Sequence, residues 1–130
     1  DGSLNSTTAG AGSDVFRGHR LPAELRGDYF YGEVVARIVR RVAVNKHEGL
    51  TRLSNVYEAQ KDEFLKSTDP LFRPVGIHNA PDGTMYITDM YRGIIQEGQW
   101  TQRGSYLRAK IEQYQLDKVT GNGRIWRLTH

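Results

Sequence analysis

Four residues in the second half of the chain carry side chains suited to ligand binding or proton transfer. His78 ends an apolar stretch directly before a turn, and an imidazole changes its charge near neutral pH. Arg92 follows Asp89 in a predicted loop, where a guanidinium can bind a carboxylate through two hydrogen bonds. Arg73 offers the same chemistry, and Tyr91 offers a flat ring for stacking on a planar ligand.

Each of these residues also has a structural interpretation. A histidine beside a turn is commonly a surface residue, and an aromatic residue near a strand commonly packs in a core. The two arginines can form ion pairs with Asp89 or with Glu33. Glu33 and Asp89 are themselves predicted to tie down loop backbone. The residues alone leave the functional and structural interpretations open.

Several kinds of chemistry are excluded by composition. The 130 residues include no cysteine, so the chain contains no disulfide, no cysteine-ligated zinc, no thiol nucleophile and no covalently attached c-type haem. The four histidines show no zinc-binding spacing. Asp89 or Glu33 could bind calcium together with backbone carbonyls, but no Asp-rich calcium loop occurs, so the sequence assigns no metal ligands.

The charge and hydropathy of the chain indicate a packed domain. The formal net charge is +3, from 18 Lys and Arg against 15 Asp and Glu, and 38% of the residues are hydrophobic. No run approaches the roughly 18 apolar residues of a membrane helix, so no membrane span is predicted. Acidic residues are interleaved with the basic ones, which favours a solvated surface over nucleic-acid binding.

Short strands separated by turns are the main structural signal. Alternating or aromatic stretches predict strands at residues 29–31, 37–44, 50–57, 72–78, 84–89 and 124–128. The segment 79–83 predicts a tight turn, because Pro81 presets φ and Gly83 tolerates a positive φ. This spacing favours antiparallel sheets, so the predicted fold class is all-β.

Two stretches depart from the strand pattern. Residues 1–14 are small and polar with almost no apolar content, so they are predicted to be a loop or frayed terminus. Residues 97–122 contain Leu107, Ile111 and Tyr114 at helical spacing. We therefore predict a helical insertion near the C-terminus.

An internal repeat determines the predicted architecture. Residues 27–33 align without a gap on residues 83–89, with glycine on glycine and Glu33 on Asp89. The Arg-Ile-x-Arg segment 37–40 also resembles residues 124–127. A repeated β-unit of about 40–50 residues is typical of a propeller blade.

The repeat predicts a β-propeller fragment of about two blades. The first blade and a connecting loop occupy residues 15–69, and the second blade with its helical insertion occupies residues 70–130. An open arc of blades leaves sheet faces uncovered. We therefore expect the rest of a propeller, other chains or self-association to cover them.

A series of motifs resembles a known family. The motifs are Arg-Gly-His-Arg-Leu-Pro at 17–22, Phe-Arg-Pro at 72–74, Ala-Pro-Asp-Gly at 80–83, Asp-Met-Tyr-Arg-Gly-Ile-Ile-Gln at 89–96 and Gly-Arg-Ile-Trp-Arg at 123–127. They resemble the C-terminal part of the β-propeller in bacterial membrane-bound dehydrogenase-like proteins of planctomycete type. These are relatives of the PQQ-dependent glucose/sorbosone dehydrogenases. The resemblance covers residues 12–130.

The resemblance implies a periplasmic or exported six-bladed propeller that binds pyrroloquinoline quinone and calcium and is part of a sugar or alcohol dehydrogenase. It implies His78 as the general base, and Arg92, Arg73 and Tyr91 as cofactor-binding residues. Any haem would belong to a domain outside this chain. Two other functions stay open, namely a non-catalytic propeller module that binds or scaffolds a partner, and a lactonase-like hydrolase.

Overall fold

The structure is a computed structural model that describes residues 7–95 and 98–130. Within these residues two antiparallel sheets and one α-helix form, so the mainly β fold class is confirmed. The first sheet contains β1 (Gly10–Val15), β2 (Tyr29–Glu33), β3 (Ile38–His47), β4 (Leu50–Ser54) and β5 (Leu65–Lys66). The second contains β6 (Pro74–Asn79), β7 (Met85–Asp89) and β8 (Arg124–Leu128).

Each sheet is built outward from one strand to the next. The first sheet has the order β1-β2-β3-β4, and β5 pairs with the start of β3 on the edge opposite β2. The second has the order β6-β7-β8. The helix α1 (Tyr106–Tyr114) lies between β7 and β8 in the chain. No helix of the described segments is long and apolar enough to cross a membrane.

The prediction that residues 1–14 form a loop is wrong from Gly10 onward, because Gly10–Val15 form β1 and pair with β2. Residues 1–6 lie outside the described residues. The small residues of β1 are required by contacts with the second sheet. A Cβ added at Gly12 would lie 2.7 Å from the carbonyl oxygen of Val75, so β1 needs glycine there to pack against β6. The first unit therefore begins at Gly10.

Several element boundaries also differ from the sequence prediction. Strand β2 runs on to Glu33 and β3 runs on to His47. Strand β4 ends at Ser54 instead of residue 57. Within the predicted connecting loop, Leu65 pairs with Val39 and Lys66 with Ile38 to form β5. A strand of two residues carries too little periodicity to be recognised from sequence.

The predicted helical insertion contains a helix of nine residues, α1. The Ser105 hydroxyl caps it by accepting a hydrogen bond from the Arg108 N–H at 3.1 Å. Ile111 is buried as expected, but Tyr114 is exposed. The helix ends at Gln115 in the left-handed region, which turns the chain so that Leu116 is buried instead.

Strand pairing supports the first part of the repeat and corrects the second. Glu33 pairs with Ile38, and the equivalent Asp89 pairs with Arg124. Arg124 therefore corresponds to Ile38, and the predicted match of Arg124 with Arg37 is wrong by one residue. A shift of one residue moves every side chain of a strand to the opposite face.

The two units make equivalent hydrogen bonds at their turns. The Gly27 N–H donates to the Phe16 carbonyl at 2.8 Å, and the Gly83 N–H donates to the Ala80 carbonyl at 3.0 Å. Both glycines have positive φ, 92° and 84°. The first unit differs by a longer loop that includes a short 3-10 turn at Ala23–Leu25.

The two sheets stack with opposite faces of equivalent strands in contact. Phe30 of β2 points into the core between the sheets, and so do Met85 and Ile87 of β7. The repeat makes Tyr29 and Tyr31 the equivalents of Met85 and Ile87, and these two tyrosines flank Phe30 on the other face of β2. The stacking is therefore front to back.

This close stacking can be tested at Gly32. A Cβ at Gly32 would overlap the carbonyl oxygen of Pro74, so we expect Gly32→Ala to lower the free energy of unfolding by ~1–3 kcal/mol. Urea unfolding measures the change. Gly98→Ala is the control, because a Cβ there meets nothing within 4 Å. Equal midpoints for the two variants would contradict the described packing.

Candidate functional site

Asp89 is a buried carboxylate at the end of β7. Its Oδ1 accepts hydrogen bonds from the backbone N–H groups of Arg73 and Tyr91, both at 2.8 Å. Its Oδ2 accepts one from the Trp126 indole at 2.9 Å. With its residue only 3% exposed, Asp89 holds the start of β6, the loop after β7 and the middle of β8 together.

Glu33 occupies the equivalent position in the first sheet and makes the equivalent contact. It is fully buried, and its carboxylate accepts hydrogen bonds from the Ala9 N–H at 2.9 Å and from the Thr8 hydroxyl at 2.6 Å. Ala9 and Arg73 each directly precede the first strand of their sheet. The prediction that these two acids tie down backbone is confirmed.

Arg73 acts at the same end of the second sheet. Its guanidinium donates to the carbonyls of Val34 and Arg92, each at 3.0 Å, and to the carbonyl of Gly93. Val34 follows β2, so this side chain joins the first sheet to the loop after β7. Arg73 is 3% exposed and its guanidinium faces protein carbonyls.

Tyr91 is positioned from both sides of its ring. The guanidinium carbon of Arg124 lies 3.4 Å from the ring centroid, which is a cation–π arrangement. The phenol donates a hydrogen bond to the Asp69 carboxylate at 2.9 Å, and this bond raises the pKa of Tyr91. The backbone is left-handed, with φ of 44°, and the N–H bond to Asp89 holds it there.

The structure brings three of the four predicted site residues together and leaves the fourth apart. Arg73, Tyr91 and Arg92 lie where β6 begins and β7 ends. His78 lies four residues beyond Pro74, the first residue of β6, and pairs with Tyr86. At the usual rise per strand residue, His78 is roughly 13 Å from the start of β6. Both His78 and Arg92 are exposed.

Sequence reasoning missed three participants of this cluster. Asp69, which accepts from Tyr91, lies in a loop without a recognisable motif. Arg124 lies in the repeated Arg-Ile-x-Arg segment, which gave it no functional role, and its guanidinium covers the Tyr91 ring. Trp126 lies in the same segment, and its indole donates a hydrogen bond to Asp89. Among the described residues, no group of three His, Asp or Glu side chains could hold a metal ion.

An apolar cavity of about 310 Å³ opens between the outer strands of the two sheets. Leu65 and Lys66 of β5 border it on one side, and Trp126 and Leu128 of β8 border it on the other. Phe72 lies behind them. No sequence motif indicated this cavity, because its walls come from four separate parts of the chain.

Comparison with known proteins defines a family. The chain belongs to the family described as Domain of unknown function (DUF7133), whose sequence profile matches residues 1–130. No curated protein and no solved structure matches the chain. The roles of His78, Arg73, Tyr91 and Arg92 in binding a cofactor therefore stay predictions.

The structural role of Arg73 can be measured against that of Arg92. We expect Arg73→Met to lower the free energy of unfolding by ~3 kcal/mol, because three backbone carbonyls lose their shared donor. The exposed neighbour provides the control, and Arg92→Met should change stability by less than about 0.5 kcal/mol. Chemical unfolding monitored by circular dichroism distinguishes the two. A similar small effect for both would refute the structural assignment of Arg73.

Proposed function

We propose that the chain supplies two neighbouring blades of a β-propeller and works as a binding or scaffolding unit within it. The observation that carries the proposal is the front-to-back stacking of two equivalent sheets. A contact that joins the front of one unit to the back of an equivalent unit can be repeated, and repetition with rotation closes a ring. Propellers are rings of such antiparallel sheets.

The uncovered face of the second sheet supports this proposal by its residue types. We call it the stacking face, and it contains Gly76, His78, Tyr86, Thr88, Ile125 and Arg127. Register places these residues at the positions that Gly12, Asp14, Phe30, Gly32, Val39 and Arg41 occupy in the first sheet. Four of the six positions thus keep their residue type, namely glycine, aromatic, β-branched and arginine, on a face that packs against a neighbouring sheet in the first unit. His78 and Thr88 replace Asp14 and Gly32, so a neighbouring sheet would approach less closely at Thr88 than at Gly32.

The opposite end of the pair supports the same arrangement. Tyr29 and Tyr31 on the outer face of the first sheet are the equivalents of Met85 and Ile87, which receive the first sheet within the chain. A further sheet of the same kind could therefore pack on either side. In such a stack the carbonyl of Ala11, the equivalent of Val75, would lie over Gly76 of a preceding unit.

Quinone-dependent oxidation of a sugar or alcohol is the second candidate, and the exposure of His78 and Arg92 favours it. The four predicted residues do not fit a single quinone site. The Arg73 guanidinium already donates hydrogen bonds to backbone carbonyls, and Arg124 covers the Tyr91 ring. His78 lies toward the other end of the sheet. We therefore derive no catalytic step from them. The periplasmic or exported location and a haem domain elsewhere stay predictions of the resemblance.

Stacking predicts that the isolated chain self-associates head to tail. Sedimentation velocity should show a mass that rises with concentration, because each chain offers one stacking face and one outer tyrosine face. We expect Gly76→Val to remove this association, since it adds bulk where a neighbouring backbone would approach. Within the chain the nearest atoms to the added Cβ are the Thr88 hydroxyl and the His78 imidazole, so circular dichroism must first show that the variant is folded. Gly98→Val is the matched control. A folded wild-type chain that stays monomeric at every concentration would contradict the proposal.

A titration with pyrroloquinoline quinone and calcium separates the two candidate functions. If the chain is a scaffolding unit, we expect no saturable binding, and Arg92→Ala should behave as the wild type does. Saturable, calcium-dependent binding that weakens about tenfold in Arg92→Ala, or ~1.4 kcal/mol, would instead establish the quinone-binding candidate. Absorbance of the quinone provides the readout.

A further inference from the structure

The outer edge of β8 is open within the described residues. Strand β8 pairs with β7 on one side, and the second sheet ends there. Its side chains are correspondingly accessible, with Ile125 67% and Trp126 43% exposed. The free N–H and C=O groups of an edge strand are a template for another strand.

The first sheet shows what covers the equivalent edge. On β3, the residues Ile38 and Val39 pair with Lys66 and Leu65 of β5. Register makes Arg124 and Ile125 the equivalents of Ile38 and Val39. The edge that β5 covers in the first sheet is thus the one that is open in the second.

The apolar cavity described above lies directly beside this edge. Trp126 and Leu128 point from β8 toward the first sheet, and Leu65 faces them across the cavity. A strand added to β8 would place every second side chain on the face that carries Trp126. Aromatic or aliphatic side chains at those positions would fill the cavity, and their burial would favour binding.

Charge specifies the occupant further. Strand β8 contains Arg124 and Arg127 and no acidic residue, and Lys66 borders the cavity. The nearest described carboxylate to Arg127 is that of Asp82 at 3.5 Å, in an exposed pair of little strength. Lys66 likewise has an exposed partner, Asp62 at 2.7 Å. Carboxylates on the incoming strand would therefore meet an edge that carries more basic than acidic residues and whose ion pairs are exposed and weak.

The chain itself contains a segment of this chemistry directly before and at the start of β5. Residues 62–65 read Asp-Glu-Phe-Leu. In the first sheet Glu63 pairs with Arg40 at 2.9 Å, and the Phe64 ring packs on Phe30 with centroids 4.8 Å apart. Acidic and apolar residues that adjoin β5 thus already contact β3 and β2 of the first sheet.

We propose that β8 binds an extended peptide strand that carries acidic residues next to aromatic or aliphatic ones. The strand pairs antiparallel with Arg124–Leu128 and inserts apolar side chains into the cavity beside Trp126. This is recognition by strand addition, in which backbone hydrogen bonds provide affinity and pockets for alternate side chains provide specificity. It depends on the equivalence of β3 and β8, and it does not require a closed ring.

The probe is a synthetic peptide with the sequence of residues 60–67, Gln-Lys-Asp-Glu-Phe-Leu-Lys-Ser. It is titrated into the full chain carrying Trp100→Phe, so that Trp126 is the sole tryptophan. We expect a saturable blue shift of its emission. A control peptide with proline in place of leucine should bind at least ~10-fold more weakly, because proline removes a backbone donor and resists pairing.

Two further measurements locate the site. Hydrogen exchange should show that the peptide protects residues 124–128 and leaves β4 unchanged. Leu128→Lys should weaken binding by about tenfold, because it brings a charge to the cavity wall. Leu50→Lys on the exposed β4 is the matched control and should have no effect.

The proposal is overturned by absence of saturable binding, by equal binding of both peptides, or by protection that appears elsewhere in the chain. It is also overturned if residues 124–128 are protected without peptide in proportion to protein concentration, since β8 would then pair with a second copy. Because hydrogen exchange is measured on the wild-type chain, a folding defect in Leu128→Lys would not obscure the result. Loss of head-to-tail association in Gly76→Val tests the propeller independently of this edge.

Discussion

The structure depends on a buried carboxylate that closes each sheet at the end where its first strand begins. Asp89 and Glu33 each accept the N–H of the residue before that strand, and the carbonyl of that same residue then accepts the N–H that follows the acid. A buried carboxylate is tolerated only when its oxygens are hydrogen-bonded, so these two acids fix the backbone around them. In the second unit the same residue, Arg73, extends the arrangement by joining the carbonyls of Val34 and Gly93. The polar groups that first suggested a cofactor site are thereby used to join two sheets.

The close stacking of the sheets follows from the same geometry. With the strand ends held, β1 and β2 approach β6 so closely that only glycine fits at positions 12 and 32. Phe30, Met85 and Ile87 then fill the space between the sheets with apolar side chains. The contact joins unlike faces of equivalent sheets. Such a contact leaves one face of each kind uncovered, which is why the proposed role lies in a larger stack.

Local sequence patterns predicted the mainly β fold, most strands and the aligned segments that end in Glu33 and Asp89. They failed where a residue's role depends on a contact with a part of the chain that is distant in sequence. The glycines of β1 predict a loop from sequence alone. Gly12 is needed there because the Val75 carbonyl of the other sheet lies against it, and the local sequence does not show that contact. The Arg-Ile-x-Arg match aligned the two strands one residue out of register. Similar residue types do not fix an alignment as strand pairing does. Arg73 and His78 looked like members of one site, and only the strand pairing separates them.

The central claim is that equivalent sheets stack front to back and that the backbone of a neighbouring unit packs against Gly76. A crystal structure of the chain that resolves backbone carbonyls tests this most directly. The account predicts the outer face of a neighbouring first sheet on the stacking face, with its Ala11 carbonyl over Gly76 as the Val75 carbonyl lies over Gly12. A two-fold contact between two stacking faces, or a strand pairing in which Arg124 lies opposite a residue other than Asp89, would contradict it.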